Sequence, residues 1–249
     1  MNLNESRYLV DLWYGRASAA EPGPLEVCCE ASLCEDERIH AARFRRPTTR
    51  NQHVVGRGMA RTLLARNSIS PQQIEFTFNA HGKPDVVAPL TAKRPFNIAH
   101  TEGMVVFAAC DAGCIGVDVE RLSRTTNVSI ARRYFAAPEV DYVLSHLEED
   151  EQRLAFLRVW TLKESFIKAV GKGLAIPLAD FAFEDIDSPA PRIRMFRDEL
   201  GDGRDWRFAC LSPADGYVAA VAVSELNIER IDVQIRDFHS LLPSPSLKA

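Results

Sequence analysis

The sequence lacks the long apolar run that a membrane crossing needs. Apolar residues make up 46% of its 249 positions, yet no stretch approaches the ~20 consecutive apolar residues of a spanning helix. The longest candidates, residues 104–110 and 217–223, have the length of strands. Also missing is any cysteine spacing with a meaning of its own. Cys28, Cys29, Cys34, Cys110, Cys114 and Cys210 form no Cys-x-x-Cys pair and no His-spaced zinc pattern, and read as small hydrophobes of a reducing cytoplasm. Glu5, Arg7 and Asp11 stand where a secretory leader would be apolar, so export is not expected. No glycine-rich phosphate loop of either common kind follows a strand, which sets aside P-loop and dinucleotide enzymes. A net charge of −4 argues against a general nucleic-acid binder.

Acid is missing from one region altogether. Between Arg38 and Ile74 there are eight arginines (38, 43, 45, 46, 50, 57, 61 and 66) and no Asp or Glu. Such a block is either a solvated helix face or a site for a phosphorylated ligand or acidic partner.

Periodicity and punctuation predict a strand at 9–14, a loop at 21–24, a helix from an N-cap at Ser32 to about 45, and a second helix over 49–67. Strands follow at 74–78, 96–99, 104–110 and 115–120, with a turn at His81-Gly82-Lys83-Pro84 that fixes Lys83 in a loop. The second half repeats the plan: helices at 128–135, 138–145 and 149–170, then strands at 181–184, 192–196, 206–210 and 217–224. The fold class expected is α+β, two similar halves: 1–112, then 113–226 carrying the metal site. A C-terminal extension, 227–249, has an end expected to be poorly ordered.

Two segments carry the chemistry. In Ile115-Gly116-Val117-Asp118-Val119-Glu120 strand alternation puts Asp118 and Glu120 on one face, about 7 Å apart, where they can share a hard cation such as Mg2+. Gly116 on the same face is expected to leave room for a ligand. The bland alternative is an edge strand with an acidic solvent face. In Trp160-Thr161-Leu162-Lys163-Glu164-Ser165-Phe166-Ile167-Lys168, Glu164 and Lys168 are neighbours on a helix that ends at a glycine cap, Gly171. Here the alternative is an ordinary exposed i,i+4 ion pair.

Together with G-K-P at 82–84, N-I-A-H at 97–100, Arg133-Tyr134-Phe135 with Glu139, and G-K-G-L at 171–174, these segments resemble the Sfp-type 4′-phosphopantetheinyl transferases, whose signatures are (I/V)-G-(I/V)-D-(I/V)-E and W-(S/T/C)-x-K-E-(A/S)-x-x-K. The similarity runs from about residue 43 to 223. It implies two halves related by pseudo-twofold symmetry in one monomer, with the active site in the cleft between them. It implies transfer of the phosphopantetheine arm of coenzyme A to a serine of an acyl or peptidyl carrier protein, releasing adenosine 3′,5′-bisphosphate. By resemblance, Asp118, Glu120 and Glu164 hold Mg2+, Glu164 takes the serine proton, and Lys168 neutralises the diphosphate. His100 binds the same diphosphate and Lys83 the nucleotide phosphates. The 3′-phosphate pocket transfers less directly. Arg50 and His53 match one part of it, but the family's lysine positions fall near Glu37 and His40, leaving Arg38, Arg43 or Arg50 to serve. Ala99 stands where many relatives have serine. The competing readings are a Mg2+-dependent phosphohydrolase or nuclease built on the same acids, and a non-catalytic relative that only binds carrier proteins.

Overall fold

A computed structural model of the chain describes residues 7–65, 69–173, 176–197, 200, 203–225 and 229–242. Its first part holds β1 (Arg7–Gly15), α1 (Pro24–Ala31), α2 (Glu35–Ala41), α3 (Pro47–Leu64), the hairpin β2 (Glu75–Phe78) and β3 (Pro84–Ala88), and the hairpin β4 (Phe96–Thr101) and β5 (Met104–Ala109). The second part holds β6 (Cys114–Arg121), α4 (Ala131–Tyr134), α5 (Ala137–Leu144), α6 (Glu149–Val170), the pair β7 (Phe181–Glu184) and β8 (Arg192–Met195), then β9 (Arg207–Leu211), β10 (Tyr217–Ser224) and β11 (Arg230–Asp237). The architecture is mixed α+β, with two sheets that each carry a long helix.

The sheets run β11-β1-β5-β4 and β6-β10-β9. Alternation along the strands sorts the apolar residues into three layers. Val105, Phe107 and Ala109 of β5 pack with Val54, Val55 and Met59 of α3. Val106 and Ala108 face the other way and meet Ile115, Val117 and Val119 of β6 and Val221 of β10, in a layer shared by the two sheets. Ala220 and Ala222 of β10 turn outward onto Phe156, Leu162 and Phe166 of α6. Among the described residues no helix is long and apolar enough to cross a membrane, and all six cysteines are free thiols.

Several expectations are corrected. Ser32 is the C-cap of α1, a helix the sequence reading missed, and α2 starts two residues later, from an N-cap at Cys34, and ends at Ala41. Pro47 opens α3 at its first turn, where a missing N–H costs nothing. α3 ends at Leu64, and residues 66–68, the end expected for it, lie outside the described residues. The helix expected over 128–135 is a 3-10 turn (Val128–Ile130) running into the short α4. β3 and β11 had no counterpart in the sequence reading. β11 pairs in parallel with β1, from Arg7 opposite Arg230 to Tyr14 opposite Asp237, so the C-terminal extension completes the first sheet. The expectation for the chain end, 243–249, lies outside the described residues.

Candidate active site

Asp118 and Glu120 do share one side of β6, but that side is covered by α6. Both are nearly buried, at 6% and 7% exposure. Gly116 does not open this face to a ligand, as its small size had suggested. A Cβ there would lie 2.1 Å from the Ser165 carbonyl oxygen and 2.4 Å from the Ala169 nitrogen, so glycine is what lets helix and strand approach this closely. Asp118 Oδ1 accepts a 2.6 Å hydrogen bond from Lys168 Nζ. Its Oδ2 is buried without a hydrogen-bond partner. Burial pushes the Asp118 carboxyl up to about 6, against the pull of Lys168, and nearby Glu120 and Glu164 add to the rise. Glu120 Oε2 accepts from Thr101 Oγ1 at 3.1 Å, and Oε1 is ion-paired with Arg124.

α6 spans the expected 149–170 and stops at Gly171, whose φ of +75° is the left-handed cap that glycine accommodates. Its Lys168 pairs with Asp118 and not with Glu164 one turn earlier. Glu164 is half-buried and makes no hydrogen bond or ion pair among the described residues. Burial raises its pKa and Lys168 opposes the rise. Trp160 stacks on Phe156 of the same helix, with ring centroids 6.0 Å apart, and both rings meet Phe135.

The residue between them is inward-facing. Lys163 Nζ sits 2.8 Å from Glu139 Oε2, with both side chains wholly buried. It also donates to the carbonyls of Leu178 and Phe181, each at 2.7 Å. Glu139 accepts from the backbone N–H groups of Phe183 and Ala136. Burial lowers the Lys163 ammonium to about 8 and raises the Glu139 carboxyl.

The first part of the chain supplies the facing wall, with some changes of role. Lys83 donates to three backbone carbonyls, those of Ile115 (3.0 Å), Lys168 (2.7 Å) and Ala169 (3.0 Å). All three of its protons are engaged by protein carbonyls, where the resemblance implied nucleotide phosphates. His100 lies exposed at the end of β4, yet desolvation and then the Lys168 charge hold its imidazole below the usual histidine range. Arg50 is committed to Glu30 at 2.6 Å, Arg38 to Glu35, and Arg57 and Arg61 to Glu37. Three of the eight arginines of the basic block therefore tie α3 to α1 and α2, and Arg38 pairs within α2. Arg43 is exposed without an ion-pair partner among the described residues. His53 packs between the rings of His40 (5.0 Å) and Phe44 (5.1 Å), and burial, followed by the Arg57 charge, lowers its pKa to about 4. At neutral pH it therefore brings no positive charge to a phosphate.

Glu164, Ile167 and Lys168 face Lys83, Pro84, Asn97 and Ile98 across a cavity of about 290 Å3. A larger groove, about 1090 Å3 between β8, β9 and β11, contains none of these acids and no counterpart of Lys168. Among the described residues no three His, Cys, Asp or Glu side chains converge as ready metal ligands. Asp118 and Glu120 are each paired with a cationic side chain, Lys168 and Arg124. Sequence reasoning missed Thr101 and Arg124; it quoted Lys163 and Glu139 within the motifs but did not foresee that they pair.

Comparison with known proteins gives this arrangement a family. Residues 114–222, which include β6 and α6, match the model of the 4′-phosphopantetheinyl transferase superfamily. The chain is 32% identical over 198 residues to the 4′-phosphopantetheinyl transferase HetI of Nostoc sp., covering 78% of this chain and 79% of that one. It is 32% identical over 187 residues to a 4′-phosphopantetheinyl transferase of Bacillus subtilis, covering 74% and 79%. It is 36% identical over 175 residues to the 4′-phosphopantetheinyl transferase gsp of Aneurinibacillus migulanus, covering 67% and 68%. With likeness on this scale joined to the strand–helix pair described above, the chain belongs to the 4′-phosphopantetheinyl transferase superfamily.

Proposed function

We propose that the protein transfers the 4′-phosphopantetheine arm of coenzyme A to a serine of an acyl or peptidyl carrier protein, with Mg2+, and releases adenosine 3′,5′-bisphosphate. The observation that carries this reading is the Asp118–Lys168 contact at 2.6 Å, beside Glu164 in a cavity walled by both parts of the chain. On this reading residues 1–112 and 113–226 are two halves related by pseudo-twofold symmetry, the reaction takes place in the cleft between them, and 227–249 is an extension that braces the first half. One chain supplies both walls, so a cytoplasmic monomer is sufficient.

The acids suit Mg2+. A buried carboxylate oxygen without a partner, Asp118 Oδ2, and further carboxylates on Glu120 and Glu164 are the hard oxygen donors this cation takes. When bound there, it supplies positive charge for the diphosphate. Glu164, unpaired and with a raised pKa, takes the proton of the carrier serine directly or through a water. The serine oxygen bonds to the phosphorus that bears the arm. The bond from that phosphorus to the bridging oxygen breaks, and the adenosine bisphosphate leaves with the electron pair. Lys168 neutralises charge on the departing phosphate. His100, kept neutral, donates a hydrogen bond to the same diphosphate. Of the three arginines that the resemblance offers for the 3′-phosphate, Arg43 is the exposed one without an ion pair among the described residues and takes that role, while Arg50 is paired with Glu30 and His53 is uncharged.

Coenzyme A cleavage measured with and without apo-carrier tests this. Bisphosphate release that depends on carrier is expected. Steady hydrolysis without carrier would instead favour a phosphohydrolase.

A further inference from the structure

We propose that Lys83 is a positioning residue for the transfer: its ammonium braces the acidic strand against the catalytic helix and does not contact the nucleotide. The inference rests on the transferase reading for what is positioned, but on geometry alone for how.

β6 is hydrogen-bonded along one edge to β10. Its other edge faces β4 without a backbone ladder. There the N–H of Val117 is taken by the side-chain oxygen of Asn97 at 3.0 Å, and the carbonyl of Ile115 by Lys83 at 3.0 Å. Residues two apart on a strand point their backbone groups to the same edge, so the two side chains from the first part of the chain stitch one seam. Lys83 reaches further. Its other two bonds go to the carbonyls of Lys168 and Ala169. These belong to the last turn of α6, whose carbonyls have no partner within the helix and whose end favours a positive charge. One ammonium thus fixes β6 and the end of α6 in relative height, and with them the reach of Lys168 to Asp118.

The loop that presents Lys83 is itself held. Asn79 Oδ1 accepts from the backbone N–H groups of His81 (2.9 Å) and Lys83 (3.0 Å). Asn79 Nδ2 donates to the Gly171 carbonyl at 2.9 Å. Gly82 turns the chain with φ of +80°. Both residues of this latch, Asn79 and Lys83, attach to the end of α6. A phosphate-binding lysine needs protons pointing into open space. This one has its three protons on protein carbonyls, and burial depresses its pKa.

Lys83→Met keeps the stem and removes all three donors. Two measurements decide: calorimetric affinity for adenosine 3′,5′-bisphosphate, and kcat and KM for coenzyme A with an apo-carrier. The brace predicts affinity and KM within about threefold of wild type, and kcat lower by on the order of 10–100-fold, as a misplacement of an ångström or less produces. Loss of affinity or a rise in KM beyond about tenfold with kcat retained would overturn it, as would a variant unchanged in all three. If Lys83→Met does not fold, Asn79→Ala keeps the lysine charge and frees the loop from Gly171. The brace predicts lower kcat with unchanged KM there too, and unchanged kcat contradicts it. A wild-type protein that binds the bisphosphate but loads no carrier contradicts the transferase reading alone; a Lys83→Met affinity for the bisphosphate weakened beyond about tenfold would still overturn the brace by itself.

Discussion

Lys168 on the long helix reaches Asp118 on the acidic strand, 2.6 Å away and fifty positions earlier in the chain. The contact ties a lysine that lines the cavity to a nearly buried carboxylate of the strand behind it. Lys168→Met is expected to lower kcat by about 10²–10³-fold at saturating coenzyme A, the scale of losing a charge that stabilises a transition state, with a smaller change in KM. Steady-state loading of a carrier measures both. An unchanged kcat would place the stabilising charge elsewhere.

One residue before Glu164, the buried pair Lys163–Glu139 secures the helix from behind. Lys163→Met leaves the Glu139 charge in the core without its partner and is expected to cost about 3–5 kcal/mol in urea unfolding. Adding Glu139→Gln, which keeps an acceptor for the Phe183 and Ala136 N–H groups, is expected to recover at least about 1 kcal/mol. Additive losses would mean that the two residues act independently.

His53 gives a pH dependence whose sign is fixed. Its folded pKa, about 4, lies below the ordinary histidine value, so the unfolded chain binds the extra proton first. Its contribution is complete above about pH 6.5 and is lost as pH falls toward 4. Because the ring is only half-buried, the loss is about 1–2 kcal/mol after solvent screening. Unfolding of wild type and His53→Phe should differ more at pH 7 than at pH 4, and a ring that titrates near 6.5 by NMR would contradict this.

Asp118, with a buried oxygen unpartnered, is expected to be essential for Mg2+ affinity. Saturating Mg2+ with adenosine 3′,5′-bisphosphate should stabilise the wild type by about 2–3 kcal/mol when ligand exceeds Kd a hundredfold. Asp118→Asn should lose the Mg2+-dependent part. Equal stabilisation of both proteins would remove Asp118 from the metal set, and a chelator should stop carrier loading if Mg2+ is required.

Much of this was legible locally. Helix 149–170 and strands 181–184 and 217–224 stand at the bounds that periodicity gave them, because each buries a patterned face. Strand alternation also put Asp118 and Glu120 on one side. It could not say that α6 covers that side, since only the approach of Ser165 and Ala169 to Gly116 reveals it. The strand at 230–237 pairs in parallel with residues 7–14, a contact across the whole chain, yet its alternation of Ile231, Val233 and Ile235 with polar residues was a local strand signal that the sequence reading passed over. Lys83 was placed in a fixed loop correctly, but its three acceptors lie 32 to 86 positions away and leave no local trace. The arginine block was only half legible for a related reason: the acids that pair with Arg38, Arg50, Arg57 and Arg61, namely Glu30, Glu35 and Glu37, sit just before the acid-free stretch begins.

The central claim is transfer to a protein serine, and intact-mass spectrometry of apo-carriers incubated with the protein, coenzyme A and Mg2+ tests it most directly. The account predicts a carrier that gains one phosphopantetheine arm on its serine, with adenosine 3′,5′-bisphosphate released in equal amount, and with the gain abolished in Glu164→Gln. Coenzyme A consumed while every carrier keeps its apo mass would contradict it.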